Sequence, residues 1–416
     1  MESVGPFEER PALAVALSGG SDSMALALLA DAWAKERGGR IVALIVDHGL
    51  RKESQAEAQE TARRCDGLGI AQAVLTWHPP AMYSAIQSGA REARYRLLAE
   101  YCKTHRILHL LTAHHRDDQM ETLFFRLARG SGLRGLACMA AVSDLDGVRL
   151  LRPLLSIPKA RLLATLGNQP WLEDPSNKQP VYARNRIRLQ LAQSDDPESL
   201  SARAFAVTES LGKFRRILDD KTAACLAECV SIYPEGYGLL KRESFLRQPC
   251  ELATLALSEL VMHLSGATAQ PRNEKLQRLY SELTAITPPV RRSFGGLLLH
   301  YRPAQDAWLV VREPKAMQGP IPLDPAGETR WDRRFLLRCE GAAPPLGVRA
   351  AGPPDPAFGG RYPKMVLASL PSFWHLESMI AVPHIHYVRP GYERLRFHAR
   401  FAPAKPLAGY GFLGHE

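Results

Sequence analysis

The sequence predicts an α/β amino-terminal domain, a parallel sheet with helices on both faces, then a mainly helical domain and a small carboxy-terminal α+β domain. Three observations predict it. Short apolar runs alternate with longer helix-like stretches over residues 12–112, as right-handed βαβ units require. Polar clusters close three of those runs, at Ser18–Ser23, Asp47-His48 and His114-His115, where open parallel sheets bind their ligands. After about residue 170 the alternation stops and long helical periodicities take over.

Taken in order, Ala12–Leu17 is a continuous apolar run followed at once by a Ser-Gly-Gly turn and an Ala/Leu-rich helix pattern from Asp22 to about Lys35. That is strand, tight loop, helix. Arg40–Val46 reads as a second strand ending at Asp47-His48-Gly49, Glu53 to about Gly67 as a polar helix, and Ala71–Trp77 as a third strand. Helix signals return over Arg91–Lys103, and Ile107–Thr112 is another apolar run. Residues 200–285 read mainly as helices, with apolar positions at Phe205, Val207, Leu211, Phe214, Ile217 and Leu218. Residues 295–312 read as a hairpin around Pro-Ala-Gln-Asp. Residues 313–365 are rich in Pro and Gly and suggest loops and short strands. The expected domains are 1–195, 196–313 and 314–416.

Bulk properties narrow the classes. A chain of 416 residues exceeds one ordinary core. Its 46% hydrophobic and 23% charged residues fit a globular protein rather than a disordered one. A net charge of +10 favours a polyanionic partner. Seven cysteines, an odd number with no CxxC pair, argue against a disulfide framework or a four-cysteine metal site and point to the reducing cytoplasm. Residues 1–11 hold three glutamates and no apolar core of a signal peptide. No apolar run approaches the ~18 residues of a membrane span, so no membrane partner is expected.

Two motifs carry chemistry. In Ser18-Gly19-Gly20-Ser21-Asp22-Ser23 the glycines let backbone N–H groups close around an anion, and a helix N-terminus adds a positive dipole. Ser21 and Ser23 add hydroxyls, and Asp22 can cap the helix or help hold a metal near phosphates. No Gly-Lys-Ser/Thr follows, so this is not a Walker A loop. The second motif is Ala113-His114-His115-Arg116-Asp117-Asp118-Gln119-Met120-Glu121-Thr122. A helix starting near Asp117 places Asp118 and Glu121 on one face, where two carboxylates suit Mg²⁺ or the deprotonation of an amine. Asp117 and Asp118 are equally ordinary helix caps. A lone histidine here is more often packed or solvated, and carboxylates without a third soft ligand disfavour zinc.

The first motif resembles the PP-loop of ATP pyrophosphatases, which implies a Rossmann-like sheet of the adenine nucleotide alpha hydrolase type and cleavage between the α- and β-phosphates of ATP. Both motifs together resemble the tRNA(Ile)-lysidine synthetases. Further blocks follow in that family's order: Asp47-His48-Gly49-Leu50-Arg51, Arg91-Glu92-Ala93-Arg94-Tyr95, Arg129-Gly130-Ser131-Gly132, Arg152-Pro153-Leu154-Leu155, Glu173-Asp174-Pro175-Ser176-Asn177 and Arg184-Asn185-Arg186-Ile187-Arg188. The resemblance implies adenylation of C2 of the wobble cytidine in the CAU anticodon of tRNA(Ile), then displacement of AMP by free L-lysine. It implies Ser18, Gly19, Gly20, Ser21, Asp22 and Ser23 for ATP, with His48 and His114 near the nucleotide. Asp118 and Glu121 would hold Mg²⁺ or handle lysine, with Asp117 as an alternate. Arg91, Arg184 and Arg188 would meet phosphate or the activated base. A homodimer fits the family's habit.

Beyond residue 190 the match is diffuse. Pro271-Arg272 and Arg291-Arg292 are candidates for RNA backbone contact, and the carboxy-terminal region lacks the lysine cluster of longer family members. The rival enzyme is another PP-loop tRNA-modifying enzyme such as a 2-thiolase, which the missing CxxC pairs disfavour. The rival of a different class is a non-catalytic tRNA-binding protein, which the intact loop and acidic pair disfavour.

Overall fold

A computed structural model of the chain describes residues 1–49, 54–77, 86–172, 187, 196–353, 362–403 and 405–408. It divides into two compact units, over Met1–Arg216 and Ile217–Gly409.

The first unit is built on β1 (Ala12–Leu17), β2 (Arg40–Asp47), β3 (Gln72–Thr76), β4 (His109–Leu111), β5 (Val142–Leu145) and β6 (Val148–Leu151), in the order β3-β2-β1-β4-β6-β5. Every pair is parallel except the edge hairpin of β5 with β6. From β1 the chain runs outward through β2 and β3, then returns to place β4 on the other side. The sheet therefore has a switch point between β1 and β4, where such sheets open a crevice.

The two-residue period of β1 sorts its side chains. Leu13, Val15 and Leu17, with Ile41, Ala43 and Ile45 of β2, face α1 (Ser21–Lys35), α2 (Ser54–Gly67) and α6 (Lys159–Leu166). Ala14, Ala16 and Leu44 face Leu98, Ala99 and Cys102 of α3 (Ile86–Thr104). A strand covered on both faces must be apolar throughout, which is why it reads as a continuous run. On α1, Ala25, Ala27, Ala30 and Ala34 are buried against the sheet, their small side chains allowing a close approach. After β4 come α4 (Arg116–Leu127) and the short α5 (Leu133–Leu136). The Arg129–Gly132 segment ends α4 as a Schellman cap. Gly130 takes φ 63°, its N–H donates to Leu127 O, and the Ser131 N–H donates to Arg126 O.

The sequence-predicted helical region supplies α7 (Pro197–Cys229), α8 (Arg242–Leu246), α9 (Cys250–Ser265) and α10 (Asn273–Thr284). In the second unit the helices pack on an antiparallel sheet of β7 (Val230–Ile232), β8 (Gly238–Lys241), β9 (Arg291–Phe294), β10 (Leu297–Arg302) and β11 (Ala307–Arg312), ordered β7-β8-β11-β10-β9. The expected hairpin is β10–β11, turning at Pro303–Gln305. The flanking strands, three or four residues long, lack a readable period. The remainder forms two antiparallel sheets. One contains β12 (Ile321–Pro322), β15 (Gly347–Ala350), β16 (Pro371–His375), β17 (Ser378–Val382) and β18 (Tyr387–Val388); the other contains β13 (Thr329–Trp331), β14 (Phe335–Glu340) and β19 (Arg396–Phe401). The short α11 (Lys364–Ser369) precedes β16. Among the described residues no helix is long and apolar enough to cross a membrane.

Candidate active site

A cavity of about 440 Å³ opens at the switch point of the first unit. Ala16 and Ser18 enter it from β1, Gly20–Ser23 from the loop and the first turn of α1, and Thr112–His114 from the end of β4. Arg91, Arg94 and Tyr95 come from α3, and Lys159 and Leu163 from α6. Trp171 and Leu172 complete the wall.

The loop holds its shape through its own small residues. Ser23 Oγ donates to Gly20 O at 2.9 Å and accepts the Ser18 N–H at 3.2 Å. Gly19 sits at φ 81°, and a Cβ there would lie 2.5 Å from Thr61 Oγ1 and 3.0 Å from Leu172 Cδ1. Its carbonyl accepts the Leu172 N–H at 2.9 Å. Gly19 thus fixes the turn without bordering the cavity, and Gly20 precedes the helix with its backbone toward the space. Oriented amides beside a helix N-terminus form an anion cradle.

Charge in the site is arranged around His115. Its Nε2 lies 3.5 Å from Asp22 Oδ2 and 3.6 Å from Asp118 Oδ2, and its Nδ1 lies 3.8 Å from Asp117 Oδ2. Burial alone would lower the His115 imidazole, but the three carboxylates raise it above its ordinary value. Burial alone would raise Asp22; His115 and Lys159, whose Nζ is 3.5 Å away, hold it below the usual carboxylate range. His114 behaves oppositely. Burial, helped by Arg152, Arg91 and Arg94 against Asp118, pushes it down to about 4, so the ring is neutral near pH 7. Its Nδ1 lies 3.1 Å from Thr112 Oγ1.

The sequence-predicted residues separate into groups. Ser18, Gly20, Ser21, Asp22, Ser23, Arg91 and His114 border one cavity. His48 does not, but Arg94, which does, lowers the His48 pKa after the larger effect of burial. Asp117 is engaged structurally. It accepts the Ser201 hydroxyl at 2.8 Å and the Lys159 N–H at 3.2 Å, joining α7 and α6 to α4. Asp118 accepts the His115 N–H at 3.0 Å as a cap of α4. Glu121 is 5% exposed and, like Asp117 and Asp118, lies outside the cavity lining. Arg184 and Arg188, with Asp174, Asn177 and Arg51, lie outside the described residues.

Sequence reading missed Arg94, Lys159, His115 and the Trp171-Leu172 wall as site residues. Lys159 left a trace: a cation in the first turn of a helix opposes the helix dipole, so its place after Ile157-Pro158 calls for a nearby anion. Trp171-Leu172 left none, because a backbone hydrogen bond to Gly19 brings the pair to the loop.

Comparison with known proteins agrees with this geometry. Residues 2–195 match a family model described as a PP-loop domain. A tRNA(Ile)-lysidine synthase of Wolbachia sp. subsp. Brugia malayi is 36% identical, with 78% of this chain and 76% of the relative covered. That of Wolbachia pipientis wMel is 33% identical over 90% and 89%, and that of Orientia tsutsugamushi 30% over 93% and 92%. A PP-loop cradle at the switch point and identity over nearly the whole length of such relatives lead to one conclusion: the chain belongs to the tRNA(Ile)-lysidine synthase family.

Proposed function

We propose that this enzyme attaches lysine to C2 of the wobble cytidine of the CAU anticodon of tRNA(Ile), at the cost of one ATP cleaved to AMP and pyrophosphate. The observation that carries the reading is the Ser18–Ser23 cradle facing Arg91, Arg94 and His114 across one cavity, in a chain whose full-length relatives bear that enzyme name.

In the first step the cytidine C2 oxygen attacks the α-phosphorus, the bond to the β-phosphate breaks, and pyrophosphate leaves. The Ser18–Ser23 amides and hydroxyls bind the departing phosphates, while Arg91 and Arg94 neutralise charge developing at the α-phosphate. In the second step the lysine side-chain nitrogen, having lost a proton, attacks C2; the C2–O bond breaks and AMP leaves with the oxygen. Asp118 and Glu121, which lie outside the cavity lining, are assigned to the amine and its proton on family resemblance alone; His114, held neutral at the cavity wall, can accept a hydrogen bond from the amine but does not keep its proton. An anticodon base is single-stranded, so moving it into a pocket sacrifices little pairing energy. Arg184 and Arg188 are assigned to phosphate or the activated base on family resemblance alone.

Mg²⁺ fits the donor set. Asp22 and Asp118 direct oxygens to the same His115 nitrogen, so two carboxylates lie together beside the cradle. One or two carboxylates completed by water and phosphate is the usual arrangement for this ion. Asp22 and Asp118 would hold it, and bound there it would neutralise charge on the ATP phosphates. We assign residues 1–195 to catalysis, 196–313 to RNA binding and 314–416 to a further small domain, in a homodimer.

The test is incubation of the protein with CAU-anticodon tRNA(Ile) transcript, ATP, Mg²⁺ and radiolabelled lysine. ATP-dependent label on the wobble cytidine is expected, falling about 100-fold or more in Asp118→Ala. Folded protein that binds the tRNA yet leaves it unlabelled would sink the assignment.

A further inference from the structure

Lys159 borders the active-site cavity, yet neither reaction step uses it. It opens α6 directly after Pro158, and its side chain lines the same space as Gly20, Ser21, Asp22 and Ser23. Its Nζ lies 3.5 Å from Asp22 Oδ2, and the side chain is 44% exposed. Its N–H donates to Asp117 Oδ2 at 3.2 Å, and the other oxygen of Asp117 accepts the Ser201 hydroxyl. The backbone of Lys159 is therefore tied down while its ammonium reaches into open space beside the cradle.

The side of the sheet decides what that ammonium meets. α3, which carries Arg91 and Arg94, packs on the face of Ala14, Ala16 and Leu44. α6 lies on the opposite face, where its Leu162 and Leu166 share a core with Met24 and Ala27 of α1. Cations from both faces thus flank the cavity at the strand ends, and Lys159 comes from the face of α1, whose first turn completes the cradle.

Asp22 alone does not account for this lysine. His115 Nε2 already lies 3.5 Å from the same carboxylate oxygen. A half-exposed ion pair contributes little, and a cation in the first turn of a helix works against the helix dipole. Both deficits are offset when a polyphosphate enters. The cradle also lacks a cation of its own: Ser18–Ser23 supply amides and hydroxyls but no lysine or arginine.

From this placement we infer that Lys159 is a catalytic residue of the adenylation step, whose Nζ binds the β- and γ-phosphates of ATP and stabilises pyrophosphate as it leaves. The inference rests on the reaction proposed above. As the cytidine C2 oxygen bonds to the α-phosphorus, the bond from that phosphorus to the bridging oxygen breaks, and its electron pair stays on the bridging oxygen. Negative charge therefore grows on the departing pyrophosphate. The Lys159 ammonium donates a hydrogen bond to it and keeps its proton. Arg91 and Arg94, from the other face, serve the transferred α-phosphate.

The test compares the full chain with Lys159→Met and Lys159→Arg, with unfolding temperature as the check that each is folded. Titration calorimetry with Mg²⁺ present measures binding of pyrophosphate, AMP and L-lysine. Single-turnover formation of adenylated tRNA, without lysine, measures the step itself. Lys159→Met is expected to bind pyrophosphate at least about tenfold more weakly and to bind AMP and L-lysine as wild type does. Its adenylation at saturating ATP should slow about 100-fold, and Lys159→Arg, which keeps the cation, should recover most of both losses. β,γ-Difluoromethylene ATP has a less basic leaving group and should narrow the gap between Lys159→Met and wild type. A mere brace for Asp22 would leave that gap as it is. Wild-type pyrophosphate binding in Lys159→Met, equal loss of pyrophosphate and AMP, or a gap the analogue does not change would overturn the inference. Loss of L-lysine binding with pyrophosphate binding intact would overturn it in favour of a contact to the amino-acid carboxylate. A wild-type chain that binds pyrophosphate but forms no adenylated tRNA would instead remove the reading beneath it.

Discussion

His114 and His115 are sequence neighbours with opposite electrostatic fates. His115 stands among three carboxylates, while His114 is half-buried with three arginines acting on it. Lowering the His114 pKa from 6.5 to about 4 has a definite consequence. Between those values the unfolded chain binds a proton that the folded chain refuses, so the contribution to stability is complete above pH 6.5 and is lost as pH falls toward 4. The loss is about 3 kcal/mol at most. His114→Gln, which cannot titrate, is expected to flatten the pH dependence of urea unfolding across that window; an unchanged slope would show that another group controls it. Gly19 is constrained by space as well as by φ. Gly19→Ala is expected to destabilise by about 1–3 kcal/mol and to weaken ATP binding, because Thr61 and Leu172 close on that position. Titration calorimetry with ATP checks the second effect.

At the scale of elements, the amino terminus is fastened to the sheet by one buried cation. Arg149 of β6 is 2% exposed and donates to the carbonyls of Val4, Gly5 and Pro6. His109 of β4 lies 2.9 Å from Glu8 beside it. Nothing in the local sequence of β6 announces this, since Val-Arg-Leu-Leu reads as a strand with one outward charge. Arg149→Met would keep the volume and leave buried carbonyls unsatisfied, costing about 2–4 kcal/mol. Hydrogen exchange should rise first in residues 4–8 and the β4–β6 pair; protection equal to wild type would refute the fastening role. Strands β1, β2 and β4 of the first unit were legible because they are covered on both faces, whereas the edge hairpin β5–β6 and the short α5 and α6 were not read from the sequence. The second-unit strands were less so, because runs of two to four residues carry no decisive period.

At the scale of the whole molecule, the two units hold their buried charge differently. The first gathers carboxylates, histidines and arginines around an open cavity. The second buries Arg334 completely, its Nε 2.8 Å from Asp332, which also takes Arg312. Burial pulls Arg334 down to about 10 against the opposing charge of Asp332. Asp332→Asn keeps a residue that tolerates the left-handed turn, removes the charge and turns one of two accepting oxygens into a donor. It should destabilise the second unit by about 3–5 kcal/mol, read as faster exchange in β11, β13 and β14; no change there would mean water already reaches the pair.

The sequence by itself determined the α/β class, the loop that closes on an anion and the acidic helix start at Asp117-Asp118, because backbone punctuation and strand period are local properties. It also placed the chain near its family through motif order. Only the tertiary structure decided which charged groups meet. It joins Asp22 to Lys159, gives His115 two neighbours in Asp22 and Asp118, and ties Asp117 to Ser201. Apart from the local contact of His115 with Asp118, those pairings join segments far apart in the chain through strand order, register and helix packing, and a charge carries no mark in sequence of the partner it will find.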